Sequence, residues 1–138
     1  LDPRAHLEEI NFSFNSTLSY LNISDSPNIL KADLSYCSSI EYINLSSSIN
    51  LKWISVKNCN CSEMCLESLL RNITPHFVGF LDLRGNSINW NNRNIASKIR
   101  LLLANEWSIL WDFNPPDSII PLGYWKKFDP LLLDRNFK

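Results

Sequence analysis

The chain has 138 residues, of which 45% are hydrophobic and 20% charged, with a formal net charge of −1. This is enough apolar material for one compact domain with a real core and too much for wholesale disorder. Near-zero charge excludes a surface-wide electrostatic footprint for nucleic acid or anionic membrane, while leaving room for a local basic patch.

The first predicted strand carries Leu7, Ile10 and Phe12 in the pattern apolar-x-x-apolar-x-apolar. The pattern returns in steps of 11 residues, at Leu18-Leu21-Ile23, Ile29-Ala32-Leu34, Ile40-Ile43-Leu45 and Leu51-Ile54-Val56. In the segment that follows, Cys65, Leu66, Leu69, Leu70 and Ile73 recur at helical spacing, with Ser62 as N-cap and Glu63 in the first turn. The strand pattern reappears at Val78-Leu81-Leu83, 27 residues after Leu51, because a helix needs more residues than an extended segment. Asn94 is expected to cap a second helix, Ile95 to Asn105, with Ile95, Ile99, Leu102 and Leu103 facing inward. A last strand is expected near Ile109–Phe113, ended by Asn114-Pro115-Pro116. The tail, Asp117 to Lys138, carries Tyr124, Trp125, Phe128 and Leu131 to Leu133 and is expected to fold over the open end of the core.

Eleven residues are too few to complete a coil of a repeat architecture, which takes roughly 20 to 29. The unit is therefore 22 residues with two unlike sides. An independent marker agrees: eight residues after Leu7, Ile29, Leu51 and Val78 stand Asn15, Cys37, Cys59 and Asn86, whereas Leu18 and Ile40 are followed at that distance by Ser26 and Ser48. Only three glycines are present, so turns must be made by Asn, Asp and Ser side chains bonding to backbone.

With these residues in register, the sequence resembles the leucine-rich repeat family, whose hallmark is L-x-x-L-x-L-x-x-N/C. Leu51 to Cys59 and Val78 to Asn86 fit closely, while Ala32 and Phe12 depart from the usual Leu. The resemblance covers roughly Leu7 to Phe113. It implies an α/β solenoid with parallel strands on one side and extended segments, then helices, on the other. Residues 1–114 would form about four to five coils and 115–138 a capping tail. The ending resembles the C-terminal cap of intracellular leucine-rich repeat proteins, although the usual Pro before the last strand and Gly after it are missing.

Alternation along each strand would turn Ile54 and Val56 inward and Trp53, Ser55 and Lys57 outward. The outward positions form columns: Glu9, Lys31, Trp53, Phe80; then Asn11, Asp33, Ser55, Asp82; then Ser13, Ser35, Lys57, Arg84. An exposed Trp and Phe beside Lys and Arg have the composition of a binding hot spot, which makes Lys31, Trp53, Lys57, Phe80, Asp82 and Arg84 the candidate partner-binding residues. The alternative is that Trp53 and Phe80 are covered by the tail or by another piece of the same protein.

No catalytic constellation is legible. His6 and His76 stand alone, without a Ser/His/Asp or Cys/His arrangement. Cys59, Cys61 and Cys65 have spacings that can supply zinc ligands, but a fourth is needed, and burial as small hydrophobes accounts for them better. A Cys37–Cys59 disulfide is left open. No metal or cofactor is expected. Asn-x-Ser/Thr sequons at Asn11, Asn15, Asn22, Asn44, Asn60 and Asn72 point to secretion. The repeat itself generates some of them, and no disulfide-bonded cap flanks the repeats, so an intracellular location is expected.

The function expected is protein recognition through the strand face. RNA binding, as in short leucine-rich repeat domains of export-type factors, is the alternative, with Lys31, Lys52, Lys57 and Arg84 on phosphates. A glycosylated secreted or surface recognition protein is the third. No apolar run approaches the roughly 20 residues of a membrane-spanning helix, so no membrane insertion is expected. The start, Leu1-Asp2-Pro3-Arg4, lacks Met and a signal-peptide pattern, which admits a processed or truncated piece of a longer protein. Missing N-terminal repeats or a partner subunit would then cover the exposed edge of the first unit.

Overall fold

Short strands, each with one central apolar residue, organise the molecule. The computed structural model describes residues 7–46, 48–75 and 78–121. In chain order the elements are β1 (Glu9–Asn11), β2 (Tyr20–Asn22), β3 (Lys31–Asp33), β4 (Tyr42–Asn44), β5 (Trp53–Ser55), α1 (Glu63–Asn72), β6 (Phe80–Asp82), α2 (Arg93–Ala104) and β7 (Ser108–Leu110). Five strands form one parallel sheet in the order β1-β3-β5-β6-β7, and β2 pairs with β4 in a second parallel sheet. The fold class is α/β, with a parallel sheet and two helices.

The register follows the sequence period. Ile10 sits beside Ala32, Ala32 beside Ile54, Ile54 beside Leu81 and Leu81 beside Ile109. All five belong to the core, with the inward side chains of α1 and α2. On the second sheet Leu21 pairs with Ile43 in the same way. β1 has no partner on its outer edge among the described residues.

Each helix starts where an orphan backbone N–H finds a side-chain oxygen. Ser62 accepts a hydrogen bond from the Cys65 N–H at 3.2 Å, as its position in the sequence predicts. The second helix differs from expectation: Asn92, not Asn94, is its cap, accepting from the N–H groups of Asn94 at 3.0 Å and Ile95 at 3.2 Å. Asn94 therefore lies inside the first turn. Asn72 fastens the end of α1 to β4, donating to the Ile43 carbonyl at 3.2 Å and accepting from the Leu45 N–H at 3.2 Å.

The last strand is also earlier than expected, Ser108–Leu110 rather than Ile109–Phe113. Trp111 leaves the sheet and packs edge-on against Trp90, with ring centroids 5.5 Å apart. Asp112 accepts from the Gly85 N–H at 2.6 Å, which ends strand pairing in a side-chain-to-backbone bond. Trp107, before β7, is fully buried. It lies so close to Gly79 that a Cβ there would stand 2.6 Å from its ring, so only glycine fits. Beyond β7, Ile120 enters the core. The tail residues Tyr124, Trp125, Phe128 and Leu131 to Leu133, like His6 and His76, lie outside the described residues.

Candidate recognition face

On both sheets most strands end in the same turn. At the last residue of β1, β2, β3, β4 and β6 a side-chain oxygen accepts the N–H two residues on. Asn11 receives Ser13, Asn22 receives Ser24, Asp33 receives Ser35, Asn44 receives Ser46 and Asp82 receives Arg84, at 2.9 to 3.1 Å. A short polar residue ending a strand this way offers the backbone a turn in place of further pairing. The sequons at Asn11, Asn22 and Asn44 are therefore turn devices. The Asn72 amide is held at both ends within the protein, whereas Asn15 and Asn60 face solvent.

Inside the sheet the marker residues do what their position suggests. The Cys37 thiol donates to the Phe12 carbonyl at 3.0 Å and the Cys59 thiol to Leu34 at 2.8 Å. Asn86 does more, donating to the carbonyls of Val56 (2.8 Å), Leu83 (3.1 Å) and Arg84 (3.2 Å) and accepting the Cys61 N–H at 2.8 Å. Asn15 departs from the set. It faces solvent, and its carbonyl accepts from the Thr17 hydroxyl at 3.2 Å. The other markers reach back to a carbonyl of the preceding unit, and among the described residues no unit precedes β1. On the second side, Ser48 donates to the Ser26 carbonyl at 2.9 Å, a smaller version of the same ladder.

The six candidate partner-binding residues lie on one face, but not equally open. Lys31, Trp53 and Lys57 are half-buried. The Lys31 ammonium stands 4.5 Å from the Trp53 ring centroid, a cation–π contact. On its other side Trp53 stacks on Phe80 at 5.4 Å. The expectation of an exposed Phe80 does not hold, since it is only 3% accessible. Asp82 is 4% accessible and forms a two-pronged ion pair with Arg84, Nε to Oδ1 at 3.0 Å and Nη2 to Oδ2 at 2.7 Å. Ser55, expected to point freely outward, is also buried and shares a 2.6 Å hydrogen bond with Ser35. Phe80, Asp82 and Arg84 thus hold the face together, while Lys31, Trp53 and Lys57 present it.

Elsewhere, a groove of about 410 Å³ runs between α1 and α2, lined by Glu67, Leu70, Arg71, Asn94, Lys98 and Leu101. Partial burial lowers the Lys98 ammonium below the usual lysine range. All four cysteines are free and buried. Burial raises Cys37, and hydrogen bonding with Cys59 and then Cys65 raises Cys61, so neither is poised as a thiolate. No group of three or more His, Cys, Asp or Glu among the described residues could hold a metal ion.

Exposed aromatics were a surface the residue patterning did not single out. Phe14 stacks on Tyr36 and Tyr20 on Tyr42, each with ring centroids 4.7 Å apart. The signal was present: both pairs are spaced by 22 residues, one full unit. Phe14 and Tyr36 occupy turns with φ of 65°, where Asn58 and Gly85 stand in the later units.

Compared with known proteins, the chain matches no family model, no curated sequence and no solved structure.

Proposed function

We propose that this chain is a leucine-rich repeat module, a solenoid that binds a protein partner through the outer face of its five-stranded sheet, centred on Trp53. The 22-residue register and the thiol and amide ladder support the repeat reading. The observation that carries the recognition reading is the setting of Trp53. Its ring is half-exposed yet held between Lys31 and Phe80, so a large amphipathic surface is offered with little rotamer freedom left to lose. Glu9 on β1, Asp33 on β3 and Lys57 just after β5 add charged side chains of both signs to the same sheet. The role is binding, not catalysis.

An intracellular location fits the same features. Four cysteines are free and buried, and half of the six sequons serve as strand-ending turns. The test is Trp53→Ala. It should cost at least about 2 kcal/mol of partner affinity, roughly 30-fold, the scale of a hot-spot aromatic. Folding should survive the change. A variant that fails to fold would make Trp53 structural, and RNA as the bound species would overturn the protein-recognition reading.

A further inference from the structure

The groove of about 410 Å³ between α1 and α2 brings Arg71 of one helix and Lys98 of the other to a common cleft. Neither side chain has a hydrogen bond or an ion pair among the described residues. Partial burial lowers the Lys98 ammonium below the usual lysine range, and no carboxylate offsets it. Two unpaired cations on one cleft repel each other, and the partly buried one has lost hydration. A bound negative charge would relieve both.

The acids nearby are already engaged. α2 contains Arg93, Lys98 and Arg100 and no acid. On α1, Glu63 and Glu67 both accept from the Asn92 amide, at 2.9 Å and 2.6 Å. Glu67 is the one acid among the described residues lining the groove, and this bond holds it to the N-cap of α2. Arg71 stands about one turn further along α1. Neutral groups complete the lining. The Ser97 hydroxyl accepts from Arg100 at 3.3 Å, which leaves its own O–H to donate. The Asn94 side chain has no hydrogen-bond partner among the described residues. Leu70 and Leu101 supply the apolar part, and Leu101 is 46% exposed.

We propose that this groove binds a phosphate monoester on a small, partly apolar molecule, with Arg71 and Lys98 on the phosphate and Leu101 against the apolar body. Charge selects the phosphate. A phosphate monoester is close to a dianion at pH 7 and matches two cations, whereas a carboxylate would leave one of them uncompensated. Arginine adds a planar fork that fits phosphate oxygens, and lysine adds a point charge. Size selects a small molecule, because the groove lies at the lower end of the range of ligand pockets, about 300 to 1,000 Å³. None of its lining residues belongs to the strand face around Trp53, so the site does not depend on that face binding a partner.

The test titrates the full, nitrogen-15-labelled chain with phenyl phosphate in phosphate-free buffer at pH 7 and follows the amide chemical shifts. Saturable shifts at Arg71, Ser97, Lys98 and Leu101 are expected, with a dissociation constant of about 1 mM or tighter. Lys98→Gln and Arg71→Gln should each weaken binding about tenfold, the scale of one hydrogen bond to a charged group. Unchanged shifts elsewhere in the spectrum establish that each variant is folded. Glu67→Gln, which removes the acid of the groove and can still accept from Asn92, should tighten binding. Benzoate, with the same ring and a single charge, should bind several-fold more weakly. Equal binding of benzoate, shifts confined to the surroundings of Lys31, Lys52 and Lys57, an affinity unchanged by Lys98→Gln, or no saturation by about 20 mM would each overturn the proposal.

Discussion

The Asn86 amide donates to the Val56 carbonyl, 30 residues earlier, at 2.8 Å, and so joins two units of the sheet through one buried side chain. It also satisfies Leu83, Arg84 and the Cys61 N–H. Removing it strands several buried backbone groups at once, and such groups are costly to leave unpaired. Asn86→Ala is expected to destabilise the protein by about 3 kcal/mol in urea unfolding. Cys59→Ala, which frees one carbonyl, should cost less. Equal costs would contradict this account of the ladder.

Gly79 and Trp107 are fitted to one another. A Cβ at position 79 would stand 2.6 Å from the indole. Gly79→Ala should therefore cost about 1–3 kcal/mol by overpacking. Trp107→Phe, which shortens the ring system, should recover part of that loss in the double variant, and the double-mutant cycle measures the coupling. Strict additivity would mean that the clash is absorbed elsewhere.

The strands, the 22-residue register and the inward residues were legible in the sequence because a two-residue alternation and a fixed period leave each apolar residue one place to go. Ser62 was legible as a cap for a similar reason: it immediately precedes an acidic first turn. Asn92 was not, since Asn89, Asn91, Asn92 and Asn94 are all competent and only three-dimensional geometry selects among them. The candidate face was legible as columns but not as exposure. Strand alternation sets which side of the sheet Phe80 faces and carries no information about how much of it stays accessible, which is 3%. The ion pair of Asp82 with Arg84 follows the same logic: both residues were found, but their preference for one another was not.

Glu63 sits at the N-terminus of α1, and its carboxylate accepts from Asn92 at 2.9 Å and Asn89 at 2.7 Å. These bonds, Asn92 first, hold its carboxyl below the usual glutamate range. A carboxyl whose pKa is depressed by folding stabilises the protein above its unfolded pKa, and that contribution is lost as pH falls through the folded value. Wild type should therefore exceed Glu63→Gln in stability at pH 7, with the gap closing as pH drops below the ordinary glutamate pKa of about 4.3. The group is fully exposed, so the gap should be small and should shrink further in salt. A gap that widens on acidification would reverse the assignment.

The central claim is that Trp53 anchors a protein partner on the outer sheet face. Its most direct test is parallel affinity capture from a native extract by three proteins of matched circular dichroism: wild type, Trp53→Ala, and Leu101→Ala in the groove between the helices. Nuclease treatment and a salt series accompany each capture. The account predicts one stoichiometric protein retained by wild type and Leu101→Ala, resistant to nuclease, and lost by Trp53→Ala. Retention of that protein by folded Trp53→Ala, its loss from Leu101→Ala alone, or recovery of only nucleic acid would contradict it.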